Sequence, residues 1–186
     1  MTEREKMLAG LLYDATDPEL TGMRLQARRL TWAFNQSRPD DLAERRRLLE
    51  QLFGRLGPRA EIEPPFHCDY GCHIFAGERL YMNFGCVVLD CAAVELGDNV
   101  AFGPRVQVLA ATHPLVAAER IQGPELARPV RIGSNVWVGG GAIICPGVTI
   151  GDNTTIGAGS VVVKDVPAGV LAVGNPCRVV RELGRS

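Results

Sequence analysis

Aromatic residues make up only 6% of this 186-residue chain, and its net charge is only −1. So few rings predict a narrow, aliphatic core, because rings usually fill the centre of a broad globular one. The near-neutral charge excludes a general nucleic-acid binder, which needs a basic face. The clusters Arg28-Arg29 and Arg45-Arg46-Arg47 fall in helical patterns and read as solvated faces. No apolar run reaches the roughly 18 residues that cross a bilayer, so no membrane segment is expected. The opening Met1-Thr2-Glu3-Arg4-Glu5 has none of the apolar stretch of a secretion signal, which points to the cytoplasm. In that compartment the six cysteines, at 68, 72, 86, 91, 145 and 177, are expected as reduced, mostly buried filler. Cys68 and Cys72 find no second pair at zinc-finger spacing, so no metal is expected.

Glycine is abundant instead, with 21 residues, and its placement differs between two regions. Residues 1–57 read as helices. Thr2 with Glu5 forms a capping box, and Asp17-Pro18 supplies an N-cap followed by proline at the first helical position. Leu20, Met23, Leu25, Leu30 and Phe34 then make one apolar stripe. Pro39-Asp40-Asp41 starts a third helix, whose apolar face includes Leu42, Leu48, Leu49, Leu52 and Phe53 and which stops near Gly54 to Gly57.

After Pro64-Pro65 the period becomes six. Aliphatic residues recur at Ile132, Val138, Ile144, Ile150, Ile156 and Val162, with glycine following at 133, 139, 151 and 157. The same register holds upstream at Leu96, Phe102 and Val108, and Ile62, Ile74 and Leu80 keep the period in a frame offset by two. A period of six fits neither a helix nor a flat strand. It fits a parallel β-helix with triangular coils, and roughly 90 repeat residues at about 18 per coil give about five coils. Turn triplets such as Gly151-Asp152-Asn153 suit the corners, where positive φ is often needed. Residues 58–186 are therefore expected to form this β-helix and a C-terminal tail, interrupted by a loop at 109–129. A loop of that length in a regular solenoid usually carries function. Its first turn holds Thr112-His113-Pro114, and histidine can take a proton near neutral pH without special tuning.

Several segments resemble the maltose and galactoside O-acetyltransferases. They are Met7–Leu20, Tyr81-Met82-Asn83-Phe84, Ala111-Thr112-His113-Pro114, Asn135–Gly139, Ile144–Asn153 and Gly174-Asn175-Pro176-Cys177-Arg178. Gly139-Gly140-Gly141 and Glu125 are closer to the maltose type. The resemblance covers nearly the whole chain. It implies a left-handed β-helix with an N-terminal helical segment, a homotrimer with clefts between neighbouring β-helices, and acetyl-CoA as co-substrate. It also implies direct acetyl transfer to a hydroxyl of a sugar of the maltose, glucose or galactoside type.

Carried onto this chain, the resemblance assigns His113 as general base, and general-base help of this kind is worth roughly 10²–10⁴ in rate. Glu125 or a backbone carbonyl would orient the imidazole. Sugar-binding positions fall on Asp17, Asp69 and Asn83, whose carboxylates and amide can bridge hydroxyls. The galactoside type has an Asp where this chain has Cys91, and the preceding Asp90 is the expected substitute. Donor-binding positions fall on Gly140, Ala158, Val163, Lys164, Arg178 and Arg181, the last three cations facing the nucleotide phosphates, and Arg178 and Arg181 in the tail. Trp137 is expected either beside the cleft or in the core.

Three other functions share some of these features. A xenobiotic acetyltransferase would use the same loop histidine on a different acceptor. A non-catalytic trimeric scaffold would keep only the β-helix. A zinc hydratase on this fold would need His67, His73 and His113 to converge, yet His67 and His73 are one hexad apart, on different sides of a coil. An acyl-thiol route lacks any visible Cys/His arrangement, so the cysteines read as filler.

Overall fold

The computed structural model describes residues 1–184. Arg185 and Ser186, at the end of the expected β-helical segment, lie outside the described residues. Three helices open the chain: α1 (Glu3–Leu8), α2 (Pro18–Asn35) and α3 (Leu42–Leu52). The capping box forms as expected, with Glu5 N–H donating to Thr2 Oγ1 at 3.1 Å and Thr2 N–H to Glu5 Oε2 at 2.8 Å. Asp17 caps α2 and Asp41 caps α3. Two residues of the expected stripes face water instead: Leu25 is 49% exposed and Leu42 is 70% exposed. The buried row of α2 runs Leu20, Ala27, Thr31 and Phe34, because the helix rests on the solenoid along a narrower seam than the stripe allows.

From Arg55 onward the chain winds into parallel coils with three faces. The first face holds strands Arg55–Leu56, Ile74–Ala76, Val94–Leu96, Val130–Ile132 and Thr149–Ile150. The second holds Glu61–Ile62, Tyr81–Met82, Ala101–Phe102, Trp137–Val138, Thr155–Ile156 and Val170–Val173. The third holds His67–Cys68, Val87–Leu89, Gln107–Leu109, Ile143–Ile144 and Val161–Val162. This gives five complete coils and the start of a sixth. The tail strand Arg178–Glu182 returns antiparallel to Val170–Val173 and closes that end of the second face. No helix among the described residues is long and apolar enough to cross a membrane.

Each hexad sends two side chains inward, two positions apart. Val136 and Val138, for example, are both essentially buried. Burying each such side chain contributes roughly 1.5–3 kcal/mol, which is how a core with few rings holds together. The corners need left-handed backbone, supplied at Asn99, Asn135 and Asn153 with φ of 55°, 58° and 57°. Their amides stack into a ladder, Asn99 donating to Asn135 at 2.8 Å and Asn135 to Asn153 at 2.9 Å.

The offset frame upstream has a specific cause. Partners are 20 residues apart in the first coils (Ile62, Met82, Phe102) but 18 apart later (Ile132, Ile150). Ile74 and Leu80 thus are not in frame with Ile62. They occupy the second inward position, two residues before Ala76 and Met82. The additional residues all lie at the corner between the third and first faces, at 69–73 and 90–93. In the third coil the same corner expands into the long loop at 110–129. Three successive coils are thus enlarged at one corner.

Candidate active site

At that corner the leader between α1 and α2 crosses the solenoid and joins the long loop. Tyr13 and Glu125 exchange backbone hydrogen bonds of 3.1 and 3.0 Å, and the buried Tyr13 hydroxyl donates to Glu125 Oε2 at 2.8 Å. Burial pushes the Tyr13 hydroxyl far up from its usual pKa, which keeps it a proton donor. Glu125 therefore engages the leader with one carboxylate oxygen. His113 follows the short strand Ala111–Thr112, which pairs with Leu126–Ala127. Its side chain is exposed. Arg120, from the short helix α4 (Ala117–Arg120), donates to the carbonyls of Pro114 and Leu115 at 3.1 and 3.0 Å and shapes the turn after the histidine.

Beside this loop lies a compact polar cluster. Asp69 is partly buried, and burial raises its carboxyl above the usual carboxylate range, opposed by a hydrogen bond from Cys91. That bond runs from Cys91 Sγ to Asp69 Oδ2 at 3.3 Å. Burial pushes the Cys91 thiol far up, with Asp69 adding to the effect, so it is a neutral donor and not a nucleophile at neutral pH. Arg24 of α2 donates to the Tyr70 hydroxyl at 2.7 Å and to the carbonyl of Ala15. Asp17 starts α2 just beyond, and both of its cap bonds, to Glu19 N–H and Leu20 N–H, end on Oδ1. The capping role thus leaves Oδ2 available to a ligand.

Asp90 does not join this group. It is 0% exposed, and its carboxylate accepts the backbone N–H of Tyr70 at 2.8 Å and of His73 at 3.2 Å. Its two oxygens brace the enlarged corner of the coil above, so it cannot substitute for an acceptor-facing carboxylate at Cys91. Of the other histidines, His73 is buried with Nδ1 bonded to the Asp90 carbonyl at 2.8 Å, and His67 is exposed on the third face. The three histidines do not converge, and no group of His, Cys, Asp or Glu among the described residues is arranged to hold a metal.

Asn83, Gly140 and Ala158 occupy a different corner, between the second and third faces. There the turns stack as one column: Glu63-Pro64, Asn83-Phe84, Gly103-Pro104, Gly139-Gly140 and Gly157-Ala158. Side chains are nearly absent along its lower part, and the coils touch. A Cβ on Gly139 would come 2.5 Å from the Ala158 nitrogen, and one on Gly140 would come 3.1 Å from the Pro104 ring. The result is a smooth trench suited to a long, narrow ligand. Asn83 heads it, its Oδ1 accepting Phe84 N–H at 2.7 Å. Arg178, paired with Val173, lies at its lower end, with Arg181 further along the same exposed strand. Val163 and Lys164 leave from the far edge of the third face, across from Gly140 and Ala158. Trp137 is 58% exposed on the second face and is not a core residue.

Tyr13, Arg24 and Tyr70 are absent from the site residues read from sequence. Their partners lie 112 residues away for Tyr13 and 46 for Arg24, a separation no local pattern encodes.

Comparison with known proteins agrees with this architecture. Residues 6–57 match the maltose acetyltransferase hexapeptide capping motif, and residues 129–164 match the bacterial transferase hexapeptide repeats. Nodulation protein L of Rhizobium meliloti is 52% identical over 178 residues, covering 96% of this chain and 97% of that protein. A maltose O-acetyltransferase from Clostridium difficile 630 superposes with a TM-score of 0.98 at 48% identity, covering 100% of this chain and 99% of that one. A galactoside acetyltransferase solved in complex with coenzyme A superposes with a TM-score of 0.95 at 39% identity, covering 99% and 92%.

Proposed function

The chain belongs to the maltose/galactoside O-acetyltransferase family of hexapeptide-repeat proteins, and from that premise we propose that it moves the acetyl group of acetyl-CoA directly onto a sugar hydroxyl, with His113 as general base. The observation that carries this reading is the convergence of the leader, Asp69 and the His113 loop at one enlarged corner. His113 Nε2 or Nδ1 takes the proton of the attacking hydroxyl as its oxygen bonds to the acetyl carbon. The carbon–sulfur bond breaks, and the imidazolium returns the proton to the departing thiolate. Asp17 Oδ2 and Asp69 accept hydrogen bonds from neighbouring sugar hydroxyls. Acetyl-CoA supplies the activated thioester, and the side-chain-free trench below Asn83 fits its narrow arm. Exposed Arg178, Arg181 and Lys164 suit its phosphates.

Within one chain Asn83, Gly140 and Ala158 lie one face away from His113, so the site needs another copy of the chain. A homotrimer brings the trench of one copy to the histidine corner of the next. Two features support such contacts. Beside His67 and Gln107 the third face carries outward apolar residues Val87, Leu89, Leu109, Ile143 and Val161, where the first face carries Arg55, Glu95, Arg131 and Thr149 around Phe75. The loop also exposes Leu115, Val116 and Ile121. Six free cysteines suit a reducing, cytoplasmic setting.

The test is release of the CoA thiol from acetyl-CoA in the presence of a panel of sugars and amines, for the wild type and His113→Ala. Sugar-dependent release that falls at least about a hundredfold in the variant is expected. Release driven only by amines would replace the sugar acceptor, and an unimpaired variant would remove His113 from the mechanism.

A further inference from the structure

The column that carries Asn83 continues one coil further, beyond the trench, into a groove of about 640 Å³ between α2 and Pro64-Pro65. Trp32, Arg28, Gln36 and His67 complete its lining. Trp32 leaves 70% of its surface to solvent, an unusual position for the largest apolar side chain in a protein otherwise poor in rings. The wall is rigid there. Asn35, at the end of α2, donates to the Phe66 carbonyl at 3.0 Å and accepts Phe66 N–H at 2.8 Å. No carboxylate lines the groove, and neither Arg28 nor His67 is held in an ion pair among the described residues.

We propose that this groove is a second acceptor subsite, holding the sugar ring next to the one that is acetylated, with Trp32 as its stacking platform. The inference rests on the acceptor reading of Asn83. Direction along the column supports it. Gly140 and Ala158 lie two and three coils to one side of Asn83, and the groove lies one coil to the other. A donor lying in the trench fills the first side, so the part of the acceptor remote from the reacting hydroxyl projects into the second. Its chemistry suits a pyranose: an exposed indole face for the ring's C–H face, an amide at Gln36 to bridge adjacent hydroxyls, and donors at Arg28 and His67. Its volume lies within the roughly 300–1,000 Å³ of small-molecule sites. The substrate class is thus an oligosaccharide or extended glycoside, with a free monosaccharide the poorer acceptor.

The experiment compares kcat/KM for maltotriose and for glucose in the wild type, Trp32→Ala and Trp32→Phe. The ratio of maltotriose to glucose is expected to fall about tenfold in Trp32→Ala, chiefly through KM, with Trp32→Phe recovering part of the loss. An unchanged ratio would overturn the subsite. If the wild type acetylates neither sugar, the acetylation reading fails separately, and calorimetric titration with maltotriose decides the groove. Binding heat that disappears in Trp32→Ala supports the subsite, and no heat with the wild type overturns it.

Discussion

Replacing Tyr13 by Phe removes one oxygen and leaves the ring where it is. The ring is 2% exposed, so its apolar burial is retained and no cavity opens. Both backbone bonds between Tyr13 and Glu125 also survive, since they do not involve the side chain. What disappears is the 2.8 Å hydrogen bond from the hydroxyl to Glu125 Oε2. A bond to a charged group contributes roughly 1.5–3 kcal/mol. Glu125 is only partly buried and can recover some hydration, so the low end, about 1.5 kcal/mol, is expected. For a chain of this size that corresponds to a melting temperature lower by about 3–6 °C. The bond also ties the leader to the loop that carries His113, so kcat/KM should fall by up to about tenfold if the same energy is lost in the transition state. Thermal denaturation and steady-state kinetics of Tyr13→Phe, Glu125→Gln and the double variant measure both effects. A coupling energy of about 1 kcal/mol or more is expected from the cycle. Additive single effects, or a Tyr13→Phe protein with native stability and rate, would refute the idea that this contact positions the loop.

Asp90→Asn keeps the side-chain volume but turns an NH₂ toward one of the two backbone N–H groups it now accepts, which should destabilise the fold by about 1–3 kcal/mol in a denaturation experiment. Cys91→Ala removes the hydrogen bond that lowers the Asp69 carboxyl, so the Asp69 pKa rises further. If ionised Asp69 accepts sugar hydroxyls, the acid limb of the kcat/KM profile should then move to higher pH, because protonation sets in earlier as pH falls. Mixing inactive His113→Ala and Asn83→Ala copies and reassembling them should restore part of the activity, whereas a site contained in one chain would stay dead. Burial pushes the Cys86 thiol up to about 11 and raises Cys68 and Cys91 as well, so these thiols should resist alkylation near pH 8 until the protein is unfolded.

Much of this molecule is legible from its sequence because the determining interactions are local or periodic. The caps at Thr2, Asp17 and Asp41 act within three residues, and the inward residues from Ile132 to Val162 repeat every six. The long loop announces itself by breaking that period. The polar cluster is less legible, because Tyr13, Arg24 and Tyr70 acquire their roles through partners far along the chain. Asp90 illustrates the same limit. Next to Cys91 in sequence, it looks like a substitute ligand, yet the two residues added to that corner turn its carboxylate onto the backbone. One signal could have located the corner. The inward residues step by eight from Cys68 to Ala76 and from Val88 to Leu96, where the repeat elsewhere steps by six; that lengthening marks where each early coil is enlarged, and the acceptor candidate Asp69 lies in one such enlargement.

The most direct test of the account follows the acetyl group itself. Acetyl-CoA labelled in its acetyl group is incubated with the protein and a panel of hexoses and maltodextrins, and the products are analysed by mass spectrometry. Labelled O-acetyl sugar formed by the wild type, and suppressed in His113→Ala, is the predicted result. Label recovered only as free acetate or on an amine, or equal sugar product from the variant, would contradict it.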